Sequence, residues 1–119
     1  MLSHINFHIW FKVCKPIKRK YKLSTNCLLV LNGSYVLFMI NSSDFTRRKL
    51  LDFVSYYDNV RLGKYITVLI SHGYIIESGM KATRQLYRLS ENGLIVIKEL
   101  NESYELELYK FCSLYGISL

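Results

Sequence analysis

Two stretches decide how this chain is read: Leu69-Ile70-Ser71-His72-Gly73-Tyr74-Ile75 and Tyr87-Arg88-Leu89-Ser90-Glu91-Asn92-Gly93. In the first, an apolar helical pattern stops at a glycine, the residue that takes the left-handed position after a helix at no steric cost. An aromatic and a β-branched residue follow at once, as at the start of a strand. In the second, strand alternation puts Tyr87 and Leu89 on one side. Ser90 then suits the N-cap of a helix, Glu91 suits its first turn, and Gly93 allows close packing there. Between them Tyr74 to Ser78 reads as a strand, Gly79 to Thr83 as a loop and Arg84 to Leu89 as a second strand. Leu86 is expected to face in, with Tyr87 or Leu89. The tip of this hairpin holds Met80, Lys81 and Arg84.

Upstream, Asp58 is a good N-cap for a helix from Asn59 to about His72. Leu62, Ile66, Leu69 and Ile70 form its buried face, and the opposite face shows Asn59, Arg61, Lys64, Tyr65 and Val68. Ser55-Tyr56-Tyr57 is a short turn. Before it, a helix capped by Asp44 or Thr46 begins Arg47-Arg48-Lys49. Cations in a first turn oppose the helix dipole by roughly 0.3–1 kcal/mol each. Either that cost is simply tolerated, or this helix end faces phosphates. Two helices joined by a tight turn, the second with a basic exposed face, are a helix-turn-helix.

Further out, Ser24 or Thr25 caps a helix running to about Met39, with Leu28, Leu31, Tyr35 and Phe38 as its stripe and Asn41-Ser42-Ser43 as its end. The uncharged run from Leu23 to Ser43 follows Lys18-Arg19-Lys20, as a membrane span would. Ser24, Thr25, Asn26, Asn32, Gly33 and Ser34 interrupt it, so it reads as a buried helix. Cys14 to Lys22, with Pro16, Lys15, Lys18, Arg19, Lys20 and Lys22, reads as a basic connector, either solvated or laid along a phosphate backbone. In the N-terminal element from Ser3 to Val13, Ile5, Trp10 and Phe11 call for burial. His4 and His8 would share a helix face, but no third ligand is near and no metal is expected. This N-terminus does not read as a signal peptide. In the last helix Ile97, Leu100, Tyr104, Leu108, Phe111 and Tyr115 form a stripe that suits either a seam between subunits or packing within the domain.

The order helix, helix, turn, helix, hairpin, helix is that of a winged helix, and Val60 to Ile97 resembles the MarR-type winged-helix transcription regulators. The resemblance rests on the two opening stretches, a "leucine, three residues, glycine, aromatic, isoleucine" run and a "Y-x-L-[ST]-x-x-G" run. It implies a homodimer on a pseudo-palindromic duplex, the recognition helix in the major groove and the wing on the minor groove or backbone. By position, Asn59, Arg61, Lys64 and Tyr65 are candidates for groove contact, Arg47 and Arg48 for phosphates, and Lys81 and Arg84 for contacts from the wing. The chain is shorter than usual for such regulators, so its first and last segments would share the dimerisation role. No effector pocket is located by the sequence.

Composition agrees. With 119 residues, half of them hydrophobic, the chain suits one domain with one core. We expect a mostly α fold with a small β-hairpin (α+β), a single winged helix-turn-helix domain over 1–119. Its core is placed at 23–100, with 1–22 and 98–119 as candidate dimerisation elements. The net charge is +7 and uneven: Met1 to Ser90 holds fourteen Lys or Arg against four acids, and Glu91 to Leu119 two against five. A basic body suggests a polyanionic partner. Three scattered cysteines argue against a disulfide framework and a zinc site and fit a reducing cytoplasm. No nucleophile–base pair, phosphate-binding glycine loop or carboxylate pair emerges, so neither catalysis nor a cofactor is expected. The leading expectation is a sequence-specific double-stranded DNA-binding transcriptional regulator. The alternatives are a winged-helix protein-interaction module and a plasmid or phage replication or partition protein on the same fold.

Overall fold

A computed structural model describes residues 2–42 and 44–118, with side chains from Asn6 onward. The expectations for the His4 and Ile5 side chains and for Ser43 lie outside the described residues. In chain order the elements are α1 (Leu2–Tyr21), α2 (Thr25–Asn41), β1 (Phe45–Thr46), α3 (Arg47–Phe53), α4 (Asn59–Ser71), β2 (Ile75–Lys81), β3 (Arg84–Leu89) and α5 (Glu91–Tyr115). The strands form one antiparallel sheet in the order β1-β3-β2.

The two opening stretches fasten to each other. Gly73, at φ +77°, ends α4 in the left-handed conformation. Its amide bonds the Ile70 carbonyl and that of Tyr74 bonds the Leu69 carbonyl, both at 2.9 Å, so the last carbonyls of the helix are satisfied. Ser90 accepts from the Gly93 amide at 3.0 Å, donates its hydroxyl to the Gly73 carbonyl at 2.6 Å and its amide to the Tyr74 carbonyl at 3.0 Å. Gly93 lies so close to the Tyr74 carbonyl that a Cβ there would overlap it. The end of α4, the start of β2 and the start of α5 are thus held at one point.

The hairpin is longer than the sequence suggests. Gly79, at φ +147°, sits in a bulge that lets β2 continue to Lys81 where a loop was expected, and Ala82 and Thr83 make the turn. Strand β1 was not foreseen because two residues carry no pattern. It pairs Phe45 with Tyr87 and Thr46 with Leu86. Tyr87 and Leu89 lean on the core, and Leu86, one residue out of phase, is half-buried outside it.

The larger correction concerns Cys14 to Lys22, which is helix and not connector. Ile9, Val13 and Ile17 are buried at intervals of four, with Cys14 beside them, so one apolar stripe runs past Pro16. Pro16 and Lys12 lie on the exposed side, where water can reach the Lys12 carbonyl that Pro16 leaves without a helical partner. The helix closes at Lys22, at φ +54°, where the Leu23 amide reaches back to the Lys18 carbonyl at 3.2 Å.

The uncharged α2 is the central helix. Leu28, Val30 and Leu31 are fully buried, and its buried Ser34 hydroxyl donates to the Val30 carbonyl at 2.9 Å. Among the described residues, no single helix is long and apolar enough to cross a membrane. Helix α5 packs on α1 of the same chain: Ile97 and Leu100 are buried, and Tyr104, Leu108 and Phe111 are half-buried against the core. Within this chain Phe11, which calls for burial, is half exposed, and Tyr115 is exposed. The three cysteines are unpaired and buried. Burial pushes the Cys14 thiol up to about 11, away from thiolate reactivity.

Candidate nucleic-acid interface

Helices α3 and α4 are set by their caps and their buried faces. The Thr46 hydroxyl accepts from the Lys49 amide at 3.2 Å, so Thr46, not Asp44, caps α3. Asp58 accepts from the Arg61 amide at 2.8 Å and caps α4. Leu50 on α3, Val54 at its C-cap, and Leu62, Ile66 and Leu69 on α4 are buried. That leaves Arg48 and Lys49 on one helix, and Asn59, Val60, Arg61, Lys64 and Thr67 on the other, facing out.

Between α3, the first residue of α4 and strand β3 lies a cleft of about 560 Å³. Arg47, Arg48 and Asp52 line it from α3, Asn59 from α4, and Arg84 and Gln85 from β3. Four of the eight predicted site residues therefore come together, and three guanidiniums face one carboxylate. Such a net-positive, open cleft attracts anions.

The other predicted residues are dispersed. Arg61 and Lys64 stand exposed on α4. The Arg61 Nε lies 3.7 Å from Asp58, a pair too exposed to hold the side chain firmly. Lys64 has no carboxylate partner among the described residues. Lys81 is exposed opposite Arg84 at the end of the hairpin. Tyr65 differs from the others, being half-buried with its ring 5.2 Å from that of Tyr57. The Tyr57 hydroxyl donates to Asn26 at 2.6 Å, and burial pushes this phenol up to about 12.

Arg47 is only partly free. Its guanidinium donates to the Asn59 carbonyl and lies over Gly63, where any side chain would displace it, while its Nε is buried without a partner. Sequence reasoning gave no role to Gly63, whose neighbour Arg47 comes from α3, and did not single out Thr46 or Gln85 as lining a cleft that depends on β3 coming alongside α3. Val60 was missed as well. It is 79% exposed at the start of α4, and its place outside the Leu62, Ile66 and Leu69 face was the available signal. On the wing, Arg88 grips Asp44 with two bonds of 2.9 and 3.2 Å, and holds that carboxyl below the usual carboxylate range. Among the described residues no three His, Cys, Asp or Glu side chains gather as a metal site.

No protein-family model matches the sequence, and no curated protein matches it. Solved structures are similar over nearly the whole chain. A transcriptional regulator from Thermotoga maritima superposes with a TM-score of 0.71 at 15% identity, covering 94% of this chain and 75% of its own. Apo MarR from E. coli gives 0.69 at 14%, covering 92% and 78%. A MepR mutant from S. aureus, bound to an oligodeoxyribonucleotide, gives 0.74 at 10%, covering 94% and 79%. The chain has the MarR-type winged-helix fold, five helices with a small antiparallel sheet.

Proposed function

We propose that the protein is a sequence-specific double-stranded DNA-binding transcriptional regulator acting as a homodimer. The observation that carries this reading is the basic cleft, which joins the helix-turn-helix to the wing through Arg47, Arg48, Arg84 and Asn59. The oligodeoxyribonucleotide in the MepR structure, and the operator DNA in a structure of a MarR mutant at TM-score 0.67 and 14% identity, support DNA as the partner.

In this reading α4 enters the major groove. Arg61 and Lys64 suit guanine O6 and N7, Asn59 suits adenine, and the bare Val60 methyls suit a thymine methyl. Arg48 and Arg84 meet phosphates on either side of the cleft, and Lys81 extends the wing along the backbone or into the minor groove. The second copy covers Phe7 and Phe11 on α1 and Leu114 and Tyr115 on α5, which are half to three-quarters exposed at one end of the helix pair. Two-fold symmetry then matches a palindromic site. Binding, not catalysis, is the activity, and the cytoplasm is the setting that suits three unpaired cysteines.

The test is a fluorescence-anisotropy titration against duplex DNA at low and at physiological salt, with the free protein sized alongside. Binding by a dimer that weakens steeply with salt is the expected result. No binding at low salt rejects the reading and turns the basic face toward an acidic protein.

A further inference from the structure

The second half of α1 carries charge that the DNA-binding helices do not explain. Lys12, Lys15, Lys18, Arg19, Lys20 and Lys22 follow one another with no acid between them. Two are matched across the helix pair, Lys12 by Glu107 at 3.0 Å and Lys20 by Glu99 at 2.8 Å. Lys15, Lys18, Arg19 and Lys22 have no carboxylate partner among the described residues, and all but the half-exposed Lys18 are exposed. Lys15, Lys18 and Arg19, at intervals of three and four, share one helix face and repel one another, and Lys22 follows just past the helix end. The α1 dipole favours cations in the last turn, which accounts for Lys18 and Arg19. It favours Lys22, the next residue after the helix, as well, but does not account for Lys15, a turn earlier.

The position of this ridge gives it a use. Lys15 and Lys18 line a groove of about 420 Å³ with Thr25, in the first turn of α2. That turn contains no acid, so the positive end of the α2 dipole faces the same space unopposed. The next residue, Asn26, accepts from Tyr57 in the turn that leads into α4, and Tyr57 packs on Tyr65 of α4 itself. The ridge is therefore held in fixed relation to the recognition helix through side-chain contacts.

We propose that Lys15, Lys18, Arg19 and Lys22 form a second phosphate-binding ridge that grips the duplex backbone flanking the segment read by α4. This rests on the DNA-binding reading and adds to it a contact made by α1. It assigns the ridge to strength and salt dependence of binding, and leaves base preference to α4.

The test uses the full chain and a duplex carrying its preferred site with long flanks, selected from a random pool. Two variants are compared with the unaltered protein. One changes Lys15, Lys18, Arg19 and Lys22 together to Gln. The other keeps charge with Lys15→Arg, Lys18→Arg, Arg19→Lys and Lys22→Arg. Each phosphate contact contributes about 0.9 to the slope of log affinity against log salt. The Gln variant should lower that slope by about two to four, weaken binding about tenfold or more at low salt, and keep the same preferred site. It should also lose hydroxyl-radical protection in the flanks while the central protection stays. The charge-keeping variant should retain both. Single Lys15→Gln and Lys22→Gln variants, each lowering the slope by about one, serve if the fourfold variant does not fold. Unchanged slope and footprint in variants of a protein that does bind DNA overturn the ridge alone. A chain that binds no duplex at low salt overturns the DNA reading, and the ridge falls with it.

Discussion

The lobe formed by α3, α4 and the hairpin treats its charges differently from the α1–α5 pair. Along the pair, carboxylates of α5 take up two cations of α1 and leave Lys15, Lys18 and Arg19 unmatched among the described residues: Lys12 pairs with Glu107, and Lys20 with Glu99, to which Tyr21 also donates. In the lobe Arg88 is held by Asp44 and Arg61 lies near Asp58, but Arg48, Lys64, Lys81 and Arg84 have no such partner among the described residues. The apolar side chains differ in grouping. The pair exposes Phe7, Phe11, Leu114 and Tyr115 together at one end, whereas the exposed apolar residues of the lobe, Phe53, Tyr56, Val60, Ile76 and Met80, are spread over α3, the turn after it, α4 and β2. Neutralised charge beside bare apolar surface suits contact with another protein surface, and free charge suits contact with an anion.

Breaking the pair should have the largest effect. Phe7→Glu together with Leu114→Glu places charge where the second copy is proposed to sit, at side chains 60% and 76% exposed. The expected outcome is a monomer by light scattering with unchanged far-UV circular dichroism. Loss of bivalent binding should then weaken DNA affinity about a hundredfold or more. A variant that stays dimeric removes this end from the interface.

Next in size is Arg61→Ala with Lys64→Ala, which strips the exposed face of α4. A bidentate contact to a base is worth about 1–3 kcal/mol, so specific binding should fall about ten- to hundredfold while the helix content stays. Undiminished affinity and site preference in a titration would move recognition elsewhere in the lobe.

The lobe was the more legible region because its determinants are local. A glycine at a helix end, a serine before a helix and alternation within a strand each act within a few residues, so the lengths of α4, β3 and α5 were close to those expected. The determinants of α1 are distant. Its apolar stripe makes sense only against α2 and α5, and Pro16 in the sequence argued for a break that the exposed side tolerates. The cleft was half legible: the arginines were singled out, but their convergence needs β1 to bring β3 beside α3. Nothing in the local sequence could show Arg47 resting on Gly63.

Gly93→Ala tests the point that joins the lobe to α5. A methyl group there meets the Tyr74 carbonyl, which is backbone and cannot turn aside. We expect a loss of about 1–3 kcal/mol in chemical denaturation, as for other overpacked sites. A smaller cost of acidification is shared between the pair and Asp44 of the lobe, which Arg88 holds below the usual range. Hydrogen bonds from Lys20 and Tyr21 hold the Glu99 carboxyl below the usual range, and Lys12 does the same for Glu107. The unfolded chain then binds more protons than the folded one as the carboxylates titrate. Their stabilisation is present above the ordinary carboxylate value and is lost as pH falls through the lower, folded one. Melting temperature should decline over that acid range, and Glu99→Gln should lower it at neutral pH and flatten the decline. An equally steep decline in the variant would assign acid sensitivity to other carboxylates.

The smallest stability effect is expected where the two uses of charge meet. Arg47 is the cation of the cleft bound within the chain, as Lys12 and Lys20 of α1 are, and Gly63 makes room for it. A glycine inside a helix costs up to about 1 kcal/mol relative to alanine, so Gly63→Ala gains helix propensity. The new methyl overlaps the far end of a flexible side chain, which can swing into the cleft, so the lost bond to the Asn59 carbonyl offsets that gain. Stability should therefore stay within about 1 kcal/mol of the original. Arg47 then joins Arg48 and Arg84 as a free cation, and the salt slope of DNA binding should rise by about one. If affinity falls and the slope does not rise, Arg47 acts by fixing the angle between α3 and α4, and the cleft depends on a bound arginine as much as on its free ones.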